Sequence, residues 1–240
     1  MLQNMVNSRQ SSFASSVGSS TYDLGLRDYM AKVYNFMAVA LGISGAVAFF
    51  TSSSPQLMAL LFGSPLAIVV MLAPLGFVFF LGAKINSIPA QKAKNFLWIF
   101  SVLMGLSMST IFVAYTNASI ARVFFISASM FGAMSIYGYT TKKDLTGMGS
   151  FLMMGLIGLI VASIVNFFLK SSALDFAVSA IGVLIFTGLT AYDTQNIKRL
   201  YYSTSDKETL SKMAVMGALR LYLDFINLFM MMLRLFGDRR

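Results

Sequence analysis

Two carboxylates stand inside long apolar runs of this sequence, where a charge needs a reason. Asp193 lies in the stretch Thr187-Gly188-Leu189-Thr190-Ala191-Tyr192-Asp193-Thr194-Gln195-Asn196, and Asp224 lies near the middle of the last apolar run. A charged side chain at the centre of a membrane helix costs about 2.5–3.5 kcal/mol on insertion scales, so such residues mark functional positions by default. Around Asp224, the residues Arg220, Asn227 and Arg234 follow spacings of four, three and seven. Those spacings put all four on one stripe of a helix, and a single polar stripe on an apolar helix faces the bundle interior. Two carboxylates sharing a low-dielectric site resist ionising together, so the pair would hold one proton between them. It could then sense pH, gate a pore, or give oxygen contacts, as transient metal ligands, to a hard cation such as Ca²⁺. A plainer reading stays open on the residues alone. Arg220 and Asp224 would form an intrahelical ion pair at four-residue spacing, and Asp193 would be capped by Lys198 or Arg199.

The elements that must carry these residues are membrane helices. Of the 240 residues 57% are hydrophobic and 11% charged, against about a quarter charged in a soluble domain. A soluble fold of this length buries only about three quarters of its surface, too little to hide so much apolar area. Apolar runs near 33–50, 65–82, 96–115, 119–138, 148–169, 174–194 and 213–236 are each long enough to cross a hydrocarbon layer of about 30 Å as a helix. Run length and the lack of alternating polarity select helices over barrel strands. The reading is an all-α integral membrane protein, a seven-helix bundle over 31–240 that follows a flexible Ser-rich tail over 1–30. The final polar-striped helix should sit at the centre. If the penultimate helix ends near Tyr202 and the last begins near Lys212, Asp193 and Asp224 lie about 14 and 18 Å from those ends. The two depths agree within a turn.

Basic residues give the orientation. Arg9, Arg27, Lys32, Lys84, Lys92, Lys94, Lys142, Lys143, Lys198, Arg199, Lys207 and Lys212 all fall on one side of such a bundle. That side is cytoplasmic by the positive-inside rule, which places the N-terminus in the cytoplasm. The net charge of +9 then reflects topology, and no nucleic-acid partner is implied. Arg234 to Arg240 would end on the other side against this rule, so the last segment either crosses or re-enters. Arg122 reads as snorkelling to an interface and Asp175 as favouring a helix N-terminus. Ser64-Pro65 reads as a helix start, Ser205 with Glu208 as a capping box, Pro74 as a kink and Trp98 as an interfacial anchor. Small residues four apart, Gly42 with Ala46 and Ser101 with Gly105, permit close helix approach.

Composition also narrows the chemistry. With no Cys and no His, proton or metal work must rest on carboxylates, and the Met run at 230–232 reads as packing. The sequence offers no nucleophile with a base partner and no phosphate-binding Gly loop, so neither an enzyme nor a cofactor is expected.

Four stretches carry a family resemblance. They are Gly25-Leu26-Arg27-Asp28-Tyr29-Met30, Tyr139-Thr140-Thr141-Lys142-Lys143-Asp144-Leu145, Thr190-Ala191-Tyr192-Asp193-Thr194-Gln195 and Tyr222-Leu223-Asp224-Phe225-Ile226-Asn227-Leu228-Phe229. In this order they resemble the bacterial branch of the Bax inhibitor-1, or transmembrane Bax inhibitor motif, family from about residue 25 to the end. The resemblance implies seven helices with the last enclosed by the other six. It also implies a pH-sensitive calcium leak channel with Asp193 and Asp224 as proton sensor and gate. The family's basic residue on the second helix has no counterpart here, because Lys84 lies at that helix's end. Protons and calcium ions would be the partners within the lipid bilayer. The rival readings are a non-transporting regulator that binds membrane partners, such as a quality-control protease, and a proton-coupled exchanger.

Overall fold

The computed structural model describes residues 24–240, all helical apart from short connections and one isolated bridge between Tyr115 and Arg239. The helices are α1 (Leu24–Ser52), α2 (Pro55–Phe62), α3 (Leu66–Lys84), α4 (Ala90–Ala114), α5 (Asn117–Thr140), α6 (Thr146–Leu169), α7 (Ser172–Tyr201) and α8 (Lys207–Phe236). All but α2 are long and apolar enough to cross a membrane, giving seven candidate spans. Of the expected flexible tail, residues 1–23 lie outside the described residues. Residues 24–30 are already helical, with Leu26, Tyr29 and Met30 buried against the bundle. Their apolar side chains find a packing surface, and that outweighs the polar composition around them.

Three local expectations change. The short helix α2 interrupts the first connection with a Ser-Pro start of its own: Leu57 N–H donates to Ser54 Oγ at 3.4 Å, and Pro55 opens the helix. At the later Ser-Pro, α3 begins after Pro65, and Ser64 Oγ accepts from Leu66 N–H at 3.3 Å. The cap of α8 is Asp206, whose carboxylate accepts the Thr209 N–H at 2.7 Å, so the Ser205–Glu208 box does not form. An ionised carboxylate is the stronger acceptor for a helix N-terminus. Glu208 instead accepts the Ala90 N–H at 2.7 Å and ties the start of α8 to the start of α4.

That tie and its opposite number settle the course of the last helix. At the far end Arg240 N–H donates to the Ala114 carbonyl at 3.0 Å. The start of α8 therefore meets the start of α4, and the tail after α8 meets the end of α4, a helix of 25 residues, or about 36 Å. The last segment crosses the whole bundle and does not re-enter. Its tail is held by Arg122, which donates to the Phe236 carbonyl and pairs with Asp238 at 3.0 Å.

The helix α8 holds the centre of the bundle. Its best apolar window is 72% buried, against 11% for α3 and 6% for α6, so those two present most of their surface to lipid. It packs directly on α1, α4, α5 and α7, while α3 packs on α4 and α6 on α7. Between membrane helices the apolar effect is absent, and close packing and hydrogen bonds supply the attraction. Tyr222 is fully buried and shares a 2.7 Å hydrogen bond with Ser44, whose Oγ also lies 2.8 Å from the Ser101 carbonyl, joining α8, α1 and α4. Gly105 lets α4 reach α1, since a Cβ there would meet the Ser44 carbonyl and Val47; Gly42 meets nothing and plays no such part. Trp98 packs edge-on against Phe36. Met231 and Met232 are core residues, Met231 filling the space left by Gly182.

Candidate functional site

The two aspartates meet. The Asp193 and Asp224 side chains lie within hydrogen-bonding reach of each other across the α7–α8 contact. Asp224 is buried at 6% exposure and its Oδ2 has no partner among the described residues. The depth match arises differently from the sequence estimate, because α8 starts five residues earlier than expected. Ile197 packs on Gly217, and counting back from that contact the first turns of α8 overshoot the end of α7 by about 9 Å. The connection from 202 to 206 spans the step.

The plainer alternatives do not form. Among the described residues no ion pair joins Arg220 to Asp224. Lys198 donates to the Tyr139 carbonyl at 2.8 Å, and Arg199 reaches Asp144 at 2.6 Å and Thr146 at 2.8 Å. Neither caps Asp193.

The polar stripe on α8 lines a cleft of about 1220 Å³ between α3, α4, α6, α7 and α8. Asp193, Arg220 and Asp224 mark its inner floor, Asn227 stands farther along, and Arg234 lies at the end where the C-terminal tail emerges. Asn227, in the lining, donates to the Leu223 carbonyl at 2.8 Å. The walls contributed by α3 and α6 are apolar apart from Ser163 of α6, with Pro74 on one side and Leu159 on the other. No charge from α3 reaches the site. Below the floor, toward the Lys-rich end, Ile197 packs on Gly217, and the Tyr29 ring lies tilted against Tyr201 with ring centres 5.4 Å apart.

The loop between α5 and α6 braces the pair from the Lys-rich end. Gln195 donates to the Lys143 carbonyl at 2.7 Å and accepts the Leu145 N–H at 2.9 Å, two residues from Asp193. Tyr34 of α1 lies 3.3 Å from the Thr194 hydroxyl. Gly149 leaves room for the Tyr192 ring. Two of the sequence stretches quoted above, one around Lys143 and one around Asp193, are therefore in direct contact.

Asp144 fixes that loop and has its own pH behaviour. The Thr146 hydroxyl, then the Arg199 guanidinium and the Thr146 N–H, hold its carboxyl well below the usual carboxylate range. Stability from a depressed carboxylate is complete above the unfolded value of about 3.9 and is lost only as pH falls through the folded value. Amide exchange in residues 142–146 should show no pH-linked loss of protection between about pH 5 and 8. Asp144→Asn should speed exchange throughout that range. Loss of protection in the unaltered protein within that range would place the titrating group in this loop.

The comparisons with known proteins agree with this architecture. Residues 26–240 match the family model described as inhibitor of apoptosis-promoting Bax1. The protein belongs to the Bax inhibitor-1 family. The inner membrane protein YbhL of Escherichia coli (strain K12) is 49% identical over 219 residues, which cover 90% of this chain and 94% of YbhL. The protein RP147 of Rickettsia prowazekii (strain Madrid E) is 49% identical over 222 residues, 92% of this chain and 94% of its own. A membrane protein of Streptococcus pyogenes serotype M1 is 39% identical over 222 residues, 90% and 94% respectively. This family membership covers every helix and both aspartates.

Sequence reasoning missed one pair at the opposite end of the cleft. Asp175 in the first turn of α7 lies 3.8 Å from Arg234 in the last turn of α8. Asp175 reads in sequence as a helix-start carboxylate and Arg234 as part of the α8 stripe, and the antiparallel packing of α7 on α8 brings the two together.

Proposed function

We propose that the protein is a pH-sensitive leak channel for cations, calcium foremost, gated by the Asp193–Asp224 pair. The observation that carries this reading is the meeting of two carboxylates on the inner floor of an intramembrane cleft, one of them with an orphaned oxygen. A buried acidic pair is costly unless it holds a proton or meets a cation. Calcium takes about six to eight oxygen ligands, whereas two carboxylates offer four. Among the described residues no third acidic or histidine group joins them. Contact with the ion would therefore be brief, which suits a pathway and not a storage site. Ile197 of α7 packs on Gly217 of α8 beyond the pair, toward the Lys-rich end, so conduction past that contact would require α7 and α8 to part there. The reading involves no catalytic step.

We assign the protein to the inner membrane by its likeness to YbhL, with the Lys-rich end and the N-terminus in the cytoplasm. The test is calcium flux into liposomes containing the purified protein, measured across a pH series. Flux above that of empty liposomes, changing with pH, is the expected result, and flux equal to empty liposomes at every pH would falsify the reading. The family's description as an inhibitor favours a second reading, a regulator that binds other membrane proteins without conducting, and that null flux would select it.

A further inference from the structure

We propose that the Asp175–Arg234 ion pair is the outer gate of the cleft and sets which sign of charge enters it. The inference rests on the reading that cations use the cleft. Its geometry is independent of the aspartate pair.

Arg234 is the last charged side chain along the cleft before the C-terminal tail, and it lines the cleft while holding Asp175 at 3.8 Å. Both side chains are part-exposed, at 38% and 42%, as residues at a mouth should be. The other elements at that level bring no charge to the lining: α3 gives Met71, α4 gives Thr110 and Ile111, and α6 gives Ile164 and Phe167. The remaining basic groups nearby are engaged elsewhere. Arg122 pairs with Asp238, Arg239 lies over the Tyr115 ring, and Arg240 reaches Asn117. Lys170 is exposed at the end of α6 and does not line the cleft. The charge at the mouth is therefore set by Arg234 of α8, which lines the cleft, and by Asp175 of α7, which stands 3.8 Å from it just outside the lining.

The consequence follows from their opposite signs. A cation passing inward meets Arg234, whose repulsion is offset only while Asp175 stays beside it. Removing Arg234 leaves an unopposed carboxylate that draws cations in. Removing Asp175 leaves an unopposed guanidinium that repels them and draws anions. Parting of α7 from α8 would separate the two groups, so the gate would respond to the same motion that opens the inner end.

The absence of cysteine from the sequence allows a direct test without flux. Asn227→Cys places a single thiol in the cleft inside the mouth. Its modification is timed in proteoliposomes with a cationic trimethylammonium-ethyl and an anionic sulfonatoethyl methanethiosulfonate. Arg234→Gln should raise the ratio of cationic to anionic rates by at least about tenfold, the scale set by one unit charge about 10 Å away at an effective dielectric of about 20. Asp175→Asn should lower the ratio, the double variant should return it toward the parent, and Arg234→Lys should leave it near the parent. Ser163→Cys, also in the lining, repeats the measurement at a second position. Ratios within about twofold of the parent in both charge variants, or shifts in the same direction, would overturn the gate, as would failure of both thiols to react in every variant. A shifted ratio in a protein with no calcium flux would uphold the gate and sink only the transport reading.

Discussion

Calcium flux through the Asp193→Asn/Asp224→Asn double variant should no longer depend on pH. Each single variant should keep a pH dependence with its midpoint displaced by at least about one unit, the interaction expected for coupled carboxylates. The carboxyl groups lie within hydrogen-bonding reach of each other, so they share protons as a unit and neither has a titration of its own. A carboxamide keeps the size and hydrogen bonding of the side chain but carries no titrating proton. One substitution leaves one carboxyl group without its partner; two leave no carboxyl group at the floor of the cleft. Single variants that keep the parent's midpoint would deny the coupling. A double variant with the parent's pH profile would move the sensor elsewhere, and Asp144 would be a poor candidate because its carboxyl stays ionised through the physiological range.

Much of this arrangement was legible because the membrane makes the sequence strict. Charges are so costly within a span that Asp193, Arg220 and Asp224 stood out from a background of Leu, Phe and Met. The stripe spacing on α8 identified the central helix before any contact was known. What the residues concealed were matters of partner choice. Ser205 with Glu208 satisfied the pattern of a capping box, yet Asp206 offered a nearer carboxylate and Glu208 bonded to Ala90, 118 positions away. Arg220 and Asp224 had ion-pair spacing but do not pair, since Asp224 turns into the α7 contact while Arg220 stays exposed in the cleft. Lys198 and Arg199 were close enough in sequence to cap Asp193, but Lys198 turns to the last turn of α5 and Arg199 to the α5–α6 loop. The Asp175–Arg234 pair needed the register of two antiparallel helices, which spacing within each helix does not encode.

The register that unites these residues depends on a single missing methyl group. Gly138 of α5 stands directly against the carbonyl oxygen of Ala191, two residues from Asp193, and any Cβ there would overlap that backbone. Ala191 is fully buried within α7, so its carbonyl cannot swing aside as a side chain could. Gly138→Leu should therefore push α5 from α7 and lower the stability of the bundle by about 3 kcal/mol, the upper part of the usual range for overpacking. Gly138→Ala should cost less. The displacement would also pull the Tyr139 carbonyl from Lys198 and the Lys143 carbonyl from Gln195, so the α5–α6 loop should lose amide-exchange protection in the same variant. Gly132 of the same helix has open space at its Cβ position, and Gly132→Ala should be neutral or stabilising by up to about 1 kcal/mol through helix propensity. Equal thermal stability of Gly138→Leu and Gly132→Ala in lipid nanodiscs would mean that α5 does not set the position of Asp193. The expected gap between them would show that α5 packs on α7 through the contact of Gly138 with Ala191, two residues along α7 from Asp193.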